Sequence, residues 1–244
     1  MVAIAHISDL HFGDACAAAL RDARDALNAR NPDCIVVTGD ITQSGRRSEF
    51  RLAAEWFAGI LAPLVVCPGN HDAPVYSVLS RAIEPFGRFR RLGLESAWAD
   101  RDGRAAVVAW NSARAIQPRL DWSQGVHNPQ EIRLALDKAY SLAPLGWRVL
   151  ACHHPPGCPP TGAAIKVQTR NADTTRDLLR NIPKTLLLCG HVHQFSKEMV
   201  GAAQIVTAPT LASSRERGNG CGFVQVELAR DVALVTEVRL RRGG

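Results

Sequence analysis

VAIAHISDLHFGD, residues 2–14, decides the fold. Its first seven residues read as a buried strand, and the stretch then places two histidines and two acids within nine residues, HISDLHFGD (6–14). Asp and His are costly to bury unless they are paired or bound to something. A metal ion is one answer, and it requires the rest of the chain to supply more ligands.

Outward from that strand, apolar runs alternate with helical patterns. An amphipathic Ala/Leu/Arg segment (15–30) leads to CIVVTG (34–39), and a second helical segment (46–61) leads to APLVVCPG (62–69). Such βαβαβ order implies parallel strands with helices packed on them. Later strands are expected at 104–110, 147–152, 185–189, 195–200, 203–208, 222–228 and 232–238, the last four antiparallel. PQEIRLALDKAYSL (129–142) reads as a helix, with Asn128-Pro129 as cap and first turn and an apolar stripe of Ile132, Leu136 and Ala139. Trp56, Phe57 and Trp147 are assigned to the core. The whole is expected to be an α/β fold of two sheets face to face with helices outside. No repeat, low-complexity segment or linker divides the chain, so one domain over 1–244 is expected.

The 244 residues, 46% of them apolar, suffice for a substantial core. No run approaches the roughly 18–20 apolar residues of a membrane span, and the N-terminus lacks the features of a signal peptide. A cytosolic protein without a membrane partner is expected. Seven scattered cysteines, an odd number without a CxxC pair, read as reduced buried thiols rather than disulfides or a structural zinc site. The net charge of +6 suits an anionic partner, but the arginines come in ones and twos, which disfavours a nucleic-acid stripe.

Five expected strands end in ligand-type residues. Asp9 and His11 follow the first, Asp40 of TGDIT the second, and Asn70, His71 and Asp72 of PGNHD the third; His153 and His154 follow WRVLAC, and His191 and His193 of CGHVH follow TLLLC. The carboxyl ends of parallel strands converge on one crevice, so these groups can meet in space. Asp9/His11 and His191/His193 are each two apart, a spacing that directs both members to one side of an extended backbone. Glycines 39, 69 and 190 are expected to turn the chain just before the ligands. Carboxylates, an amide oxygen and several imidazoles make a mixed set suited to Mn, Fe, Zn or Co.

The series DLH, GD, GNHD, HHPP and GHVH, running from residue 9 to 193, resembles the calcineurin-like metallophosphoesterases. The resemblance implies a four-layer αββα sandwich, with two mixed β-sheets packed face to face, and a dinuclear centre of divalent or trivalent transition metals. One ion would take Asp9, His11 and His193, the other Asn70, His153 and His191, with Asp40 bridging. His153 is preferred to His154 because it directly ends the strand. A metal-bridging hydroxide would attack phosphorus in line. His71 would stabilise the phosphoryl group or protonate the leaving oxygen, with Asp72 orienting its ring.

GDIT without a further acid, together with HHPP, looks closest to the small class III cyclic-nucleotide and glycerophosphodiester phosphodiesterases. A small phosphodiester substrate is therefore expected. Alternatives are a nuclease or a phosphomonoesterase of the same family. The 6% aromatic content argues against base-stacking platforms, and the full ligand set argues against a non-catalytic scaffold. Asn111, Arg114, Arg215 and Arg217 could contact an anionic substrate or merely support loops. The Pro-rich segment 154–171 reads as a stiff wall.

Overall fold

A computed structural model of the chain describes residues 1–117, 121–157, 169–214 and 220–240. Strands β1 (Val2–Ile7), β2 (Cys34–Thr38) and β3 (Leu64–Cys67) alternate with helices α1 (Ala17–Arg30) and α2 (Arg47–Phe57). The two short helices α3 (Val78–Ile83) and α4 (Gly87–Arg90) lead to strands β4 (Ala97–Ala99) and β5 (Ala105–Ala109). Helix α5 (Pro129–Leu142), β6 (Trp147–Ala151), α6 (Ala172–Arg180) and β7 (Thr185–Cys189) follow. The chain then finishes on β8 (Ser196–Val200), β9 (Ala203–Thr207), β10 (Gly222–Leu228) and β11 (Ala233–Arg239).

These strands form two mixed sheets, ordered β11-β10-β1-β2-β3 and β4-β5-β6-β7-β9-β8. β1, β2 and β3 run parallel, as do β5, β6, β7 and β9. The C-terminal strands are only partly antiparallel to their neighbours. β8 and β9 form a hairpin in the second sheet, with β9 parallel to β7, whereas β10 and β11 extend the first sheet beside β1.

The strands are apolar on both faces because both are covered. Val2, Ile4, Val36, Val107, Val149, Leu186 and Val224 fill the space between the sheets. Ile7, Ile35 and Val37 face outward against Leu20, Leu27, Trp56 and Phe57 of α1 and α2. On the far side, Leu150, Leu187 and Ile205 meet Ile132, Leu136 and Ala139 of α5 and Leu179 of α6. The result is the expected four-layer order of helices, sheet, sheet and helices. Trp147 is buried as expected, at the inter-sheet core.

Local chemistry fixes the helix starts. The Asn128 side chain accepts from the Gln130 N–H at 2.9 Å, and Pro129 occupies the first turn of α5, where its missing N–H costs nothing. At α2, the buried Glu49 carboxylate reaches back to accept from the backbone N–H groups of Ser44 (2.9 Å) and Arg46 (3.1 Å). That contact also fixes the loop between Asp40 and α2.

Candidate metal centre

The parallel strands deliver their C-terminal ends to one place. After β1, Asp9 and His11 are fully buried; after β2 comes Asp40, after β6 His153, and after β7 His191 and His193. Asn70, His71 and Asp72 form one turn of 3-10 helix after β3. Two groups of donors result. In one, Asp9 Oδ1 lies 3.1 Å from His193 Nε2 and 3.8 Å from His11 Nε2, and the two imidazole nitrogens are 3.2 Å apart. In the other, His153 Nε2 lies 3.3 Å from His191 Nδ1 and 3.3 Å from Asp40 Oδ2. Asp40 Oδ2 is also 3.9 Å from His11 Nε2, so this one oxygen lies between both groups.

The local backbone differs from the extended one expected from the i, i+2 spacing. Asp9, His11, Asp40, His191 and His193 all have positive φ, between 48° and 71°. Left-handed backbone in non-glycine residues costs about 1–3 kcal/mol each and gathers at functional sites. The turn it produces sends His191 and His193 to different groups, His191 toward His153 and His193 toward Asp9. Two of the glycines serve close approach rather than turning. A Cβ on Gly69 would stand 2.1 Å from Asp40 Oδ1, and one on Gly190 would stand 1.8 Å from Ser8 Oγ.

The donor chemistry fits metal ions. Asp9 Oδ2 accepts from Ser8 Oγ (2.6 Å) and from the His191 N–H (3.0 Å), whereas Oδ1 is buried without a hydrogen bond. Asn70 Oδ1 is likewise a buried acceptor with no donor. His153 donates from Nδ1 to the Thr38 carbonyl at 2.7 Å, which directs Nε2 toward Asp40 and His191. Unmatched buried acceptors are expensive unless a cation joins them.

The charges respond to one another. Burial opposes the charge on Asp9, but His193 holds its carboxyl below the usual carboxylate range. Burial of Asp40 is likewise outweighed, by His153, His71 and His11, and its carboxyl lies well below that range. Although burial lowers His153, Asp40 pushes it up to about 10. Burial lowers His11 and His191 to about 4.

Residues 2–195 match the model of the calcineurin-like phosphoesterases. The chain belongs to that family. As a member, it is a metal-dependent hydrolase of phosphoric esters. Among curated relatives, it is 28% identical over 220 residues to the 3′,5′-cyclic adenosine monophosphate phosphodiesterase CpdA of Escherichia coli K12, covering 84% of this chain and 74% of the relative. It is also 28% identical to the probable glycerophosphodiester phosphodiesterase GpdQ of Arcobacter nitrofigilis, over 72% of this chain and 62% of the relative. The crystal structure of TT1561 of Thermus thermophilus shares the fold, with a TM-score of 0.60 at 13% identity over 98% of this chain and 99% of that one.

Beside the two donor groups of this phosphoesterase, His71 gives its backbone N–H to Asp40 Oδ1 at 2.9 Å. Its Nδ1–H donates to the Gln43 carbonyl at 2.7 Å, and its ring meets that of His11 edge-on at 5.0 Å. Gln43 thus takes the ring-orienting role expected of Asp72. The Asp72 carboxylate instead accepts from the N–H groups of Gly69 (2.8 Å), Thr42 (2.9 Å) and Ile41 (3.3 Å) and from Thr42 Oγ1 (2.9 Å). It ties the loop after β2 to the turn after β3. Burial and then the Asp40 carboxylate push Asp72 up to about 6 against these donors.

His154 stands within ligand reach of His153 and His191, but both its ring nitrogens are engaged. Nε2–H donates to the Ser123 carbonyl (2.9 Å), and Nδ1 accepts from Ser112 Oγ (2.9 Å), which in turn accepts the His154 N–H (3.0 Å). The ring anchors the loop after β5. Arg114 donates to the carbonyls of Asn111 and Ala113 and pairs with Glu131 at 3.4 Å, and Asn111 Oδ1 accepts the Ala113 N–H; both residues support this loop. Arg215, Arg217 and most of the Pro-rich segment, 158–168, lie outside the described residues.

Sequence reasoning missed Ser8, Thr38 and Gln43. Ser8 was readable as the hydroxyl beside Asp9; the other two act through backbone carbonyls, which no residue type announces.

Proposed function

We propose that the protein is a phosphodiesterase for small soluble phosphodiesters, cyclic nucleotides or glycerophosphodiesters, working through a dinuclear metal centre. The observation that carries this reading is Asp40 Oδ2, which lies 3.3 Å from His153 Nε2 and 3.9 Å from His11 Nε2, between the two donor groups. One ion would be held by Asp9, His11 and His193, the other by Asn70, His153 and His191, with Asp40 shared. Mn, Fe, Zn or Co suits this mixed oxygen and nitrogen set. Such ions, when bound, supply Lewis acidity for activating water and neutralising phosphoryl oxygens.

The chain's own residues do the rest. Ser8 and the His191 N–H hold one Asp9 oxygen so that the other faces His193 and His11. Gln43 holds the Nδ1 proton of His71, and Nε2 is the atom that would hydrogen-bond the phosphoryl group or protonate the leaving oxygen. Asp72 acts at one remove, by keeping the 40–43 loop and the His71 turn in register.

The diester preference draws support from GDIT, which lacks the further acid expected of the nuclease branch, and from relatives named as cyclic-nucleotide and glycerophosphodiester phosphodiesterases. A single catalytic domain over 1–244 fits the way β8–β11 complete both sheets. Six described cysteines without disulfides fit the reducing cytoplasm. Among the described residues, no helix is long and apolar enough to cross a membrane.

The test is turnover of 3′,5′-cyclic AMP and of glycerophosphoethanolamine by metal-loaded protein. Hydrolysis of either, abolished by chelation, is expected. Activity confined to phosphomonoesters or to polynucleotides would overturn the reading.

A further inference from the structure

The arginines that come in ones and twos along the sequence are gathered by the fold. α2 packs against α4, and a groove of about 530 Å³ between them is lined by Arg47 and Arg51 from one side and Arg88 and Arg91 from the other. Phe50 and Leu92 line it too, and among the described residues no acidic side chain does. The groove is shallow and open to solvent, so its guanidinium groups are accessible to a ligand.

This arrangement is not a neutralised surface. Arg47 and Arg51 are exposed, lie one helical turn apart, and form no ion pair among the described residues, even though Glu55 stands one turn beyond Arg51. Arg91 pairs with Glu84 at 3.3 Å, and Arg88 gives an N–H to the Gly45 carbonyl, a neutral partner. Like charges at i, i+4 repel, as at Arg47 and Arg51, and Arg88 and Arg91, three residues apart, line the same groove from the other side. A ligand with several closely spaced negative charges relieves that repulsion, and guanidinium groups match phosphate oxygens through paired N–H donors.

We propose that this groove binds a polyphosphate chain, the shared chemistry of nucleoside triphosphates and inorganic polyphosphate. None of its lining residues is among the candidate metal ligands. A nucleic acid fits less well because single-strand binding uses exposed aromatic faces, and Phe50 is only 6% exposed.

The experiment is calorimetric titration of the full-length protein with inorganic tripolyphosphate, ATP, inorganic phosphate and a single-stranded oligonucleotide. The wild type is compared with R47Q/R51Q, whose changes are at exposed positions, and with H191A in the metal centre; N70A replaces H191A should that variant melt early. Tripolyphosphate affinity is expected to fall at least tenfold in R47Q/R51Q and to stay unchanged in H191A. Equal affinity for ATP assigns recognition to the phosphate chain alone, and tighter ATP binding assigns a nucleoside polyphosphate; both support the site. It is overturned by an affinity lost in H191A but kept in R47Q/R51Q, by phosphate binding as tightly as tripolyphosphate, by the oligonucleotide binding more tightly than either polyphosphate, or by no binding.

Discussion

Asp9 and His191, separated by 182 residues, are joined by one hydrogen bond: the His191 N–H donates to Asp9 Oδ2 at 3.0 Å. Ser8 Oγ donates to the same oxygen at 2.6 Å, so the two donors orient the carboxylate and direct Oδ1 toward His193 and His11. Removing a partner of a metal ligand costs affinity rather than fold. Ser8→Ala is therefore expected to weaken metal binding about 10–100-fold with a far-UV spectrum like that of the wild type. Titration of metal-depleted protein with Mn²⁺ gives the number, and unchanged affinity would remove Ser8 from this role.

His153 and His154 are adjacent, yet their variants should separate. His154→Ala leaves a cavity and removes both the acceptor of the Ser112 hydroxyl and the donor to the Ser123 carbonyl, for an expected destabilisation of about 3 kcal/mol, with metal content kept. His153→Ala is expected to lower metal content. Denaturant melts and elemental analysis of the two purified variants provide the comparison; metal loss confined to His154→Ala would reverse the assignment.

His71 and Asp40 should separate in the same way. His71→Ala is expected to retain metal and lose about 10²–10⁴-fold in kcat, the usual range for a general acid. Asp40→Ala is expected to lose both ions or to scramble their ratio. A His71 variant that lost metal, or an Asp40 variant that kept two full equivalents, would contradict these roles.

The pH dependence follows from His153. Its value is raised from 6.5 to about 10, by Asp40 against burial. In the metal-free protein the stability this contributes is fully present below pH 6.5 and is lost as pH rises through 10. A metal ion on Nε2 must displace that proton, whereas His11 and His191, lowered to about 4, carry none at pH 8. Metal uptake at pH 8 should therefore release the proton that His153 carries. Calorimetry in two buffers of different ionisation enthalpy measures it, and uptake without release would show that His153 is neutral beforehand.

Most of this architecture was legible because β1, β2, β3, β6 and β7 are apolar runs that end abruptly in polar ligands. Where that contrast was missing, the reading failed. β4 is only three residues long, AWA, and α6, ADTTRDLLR, is too polar to stand out and buries little more than Thr175 and Leu179. The positive φ of Asp9, His11, Asp40, His191 and His193 could not be read either. Local sterics disfavour it, and it persists because the loops converge on one site. Asp72 illustrates the same limit: its type and position fitted an orienting role, but its hydrogen bonds go to the loop after β2 and to Gly69.

The central claim is metal-dependent diester hydrolysis at this cluster. Its most direct test is to reload metal-depleted protein with Mn²⁺, count bound metal, and compare kcat/KM for bis(p-nitrophenyl) phosphate and p-nitrophenyl phosphate. The account predicts two ions per chain and a clear preference for the diester. A preference for the monoester, or inactivity toward both with two ions bound, would contradict it.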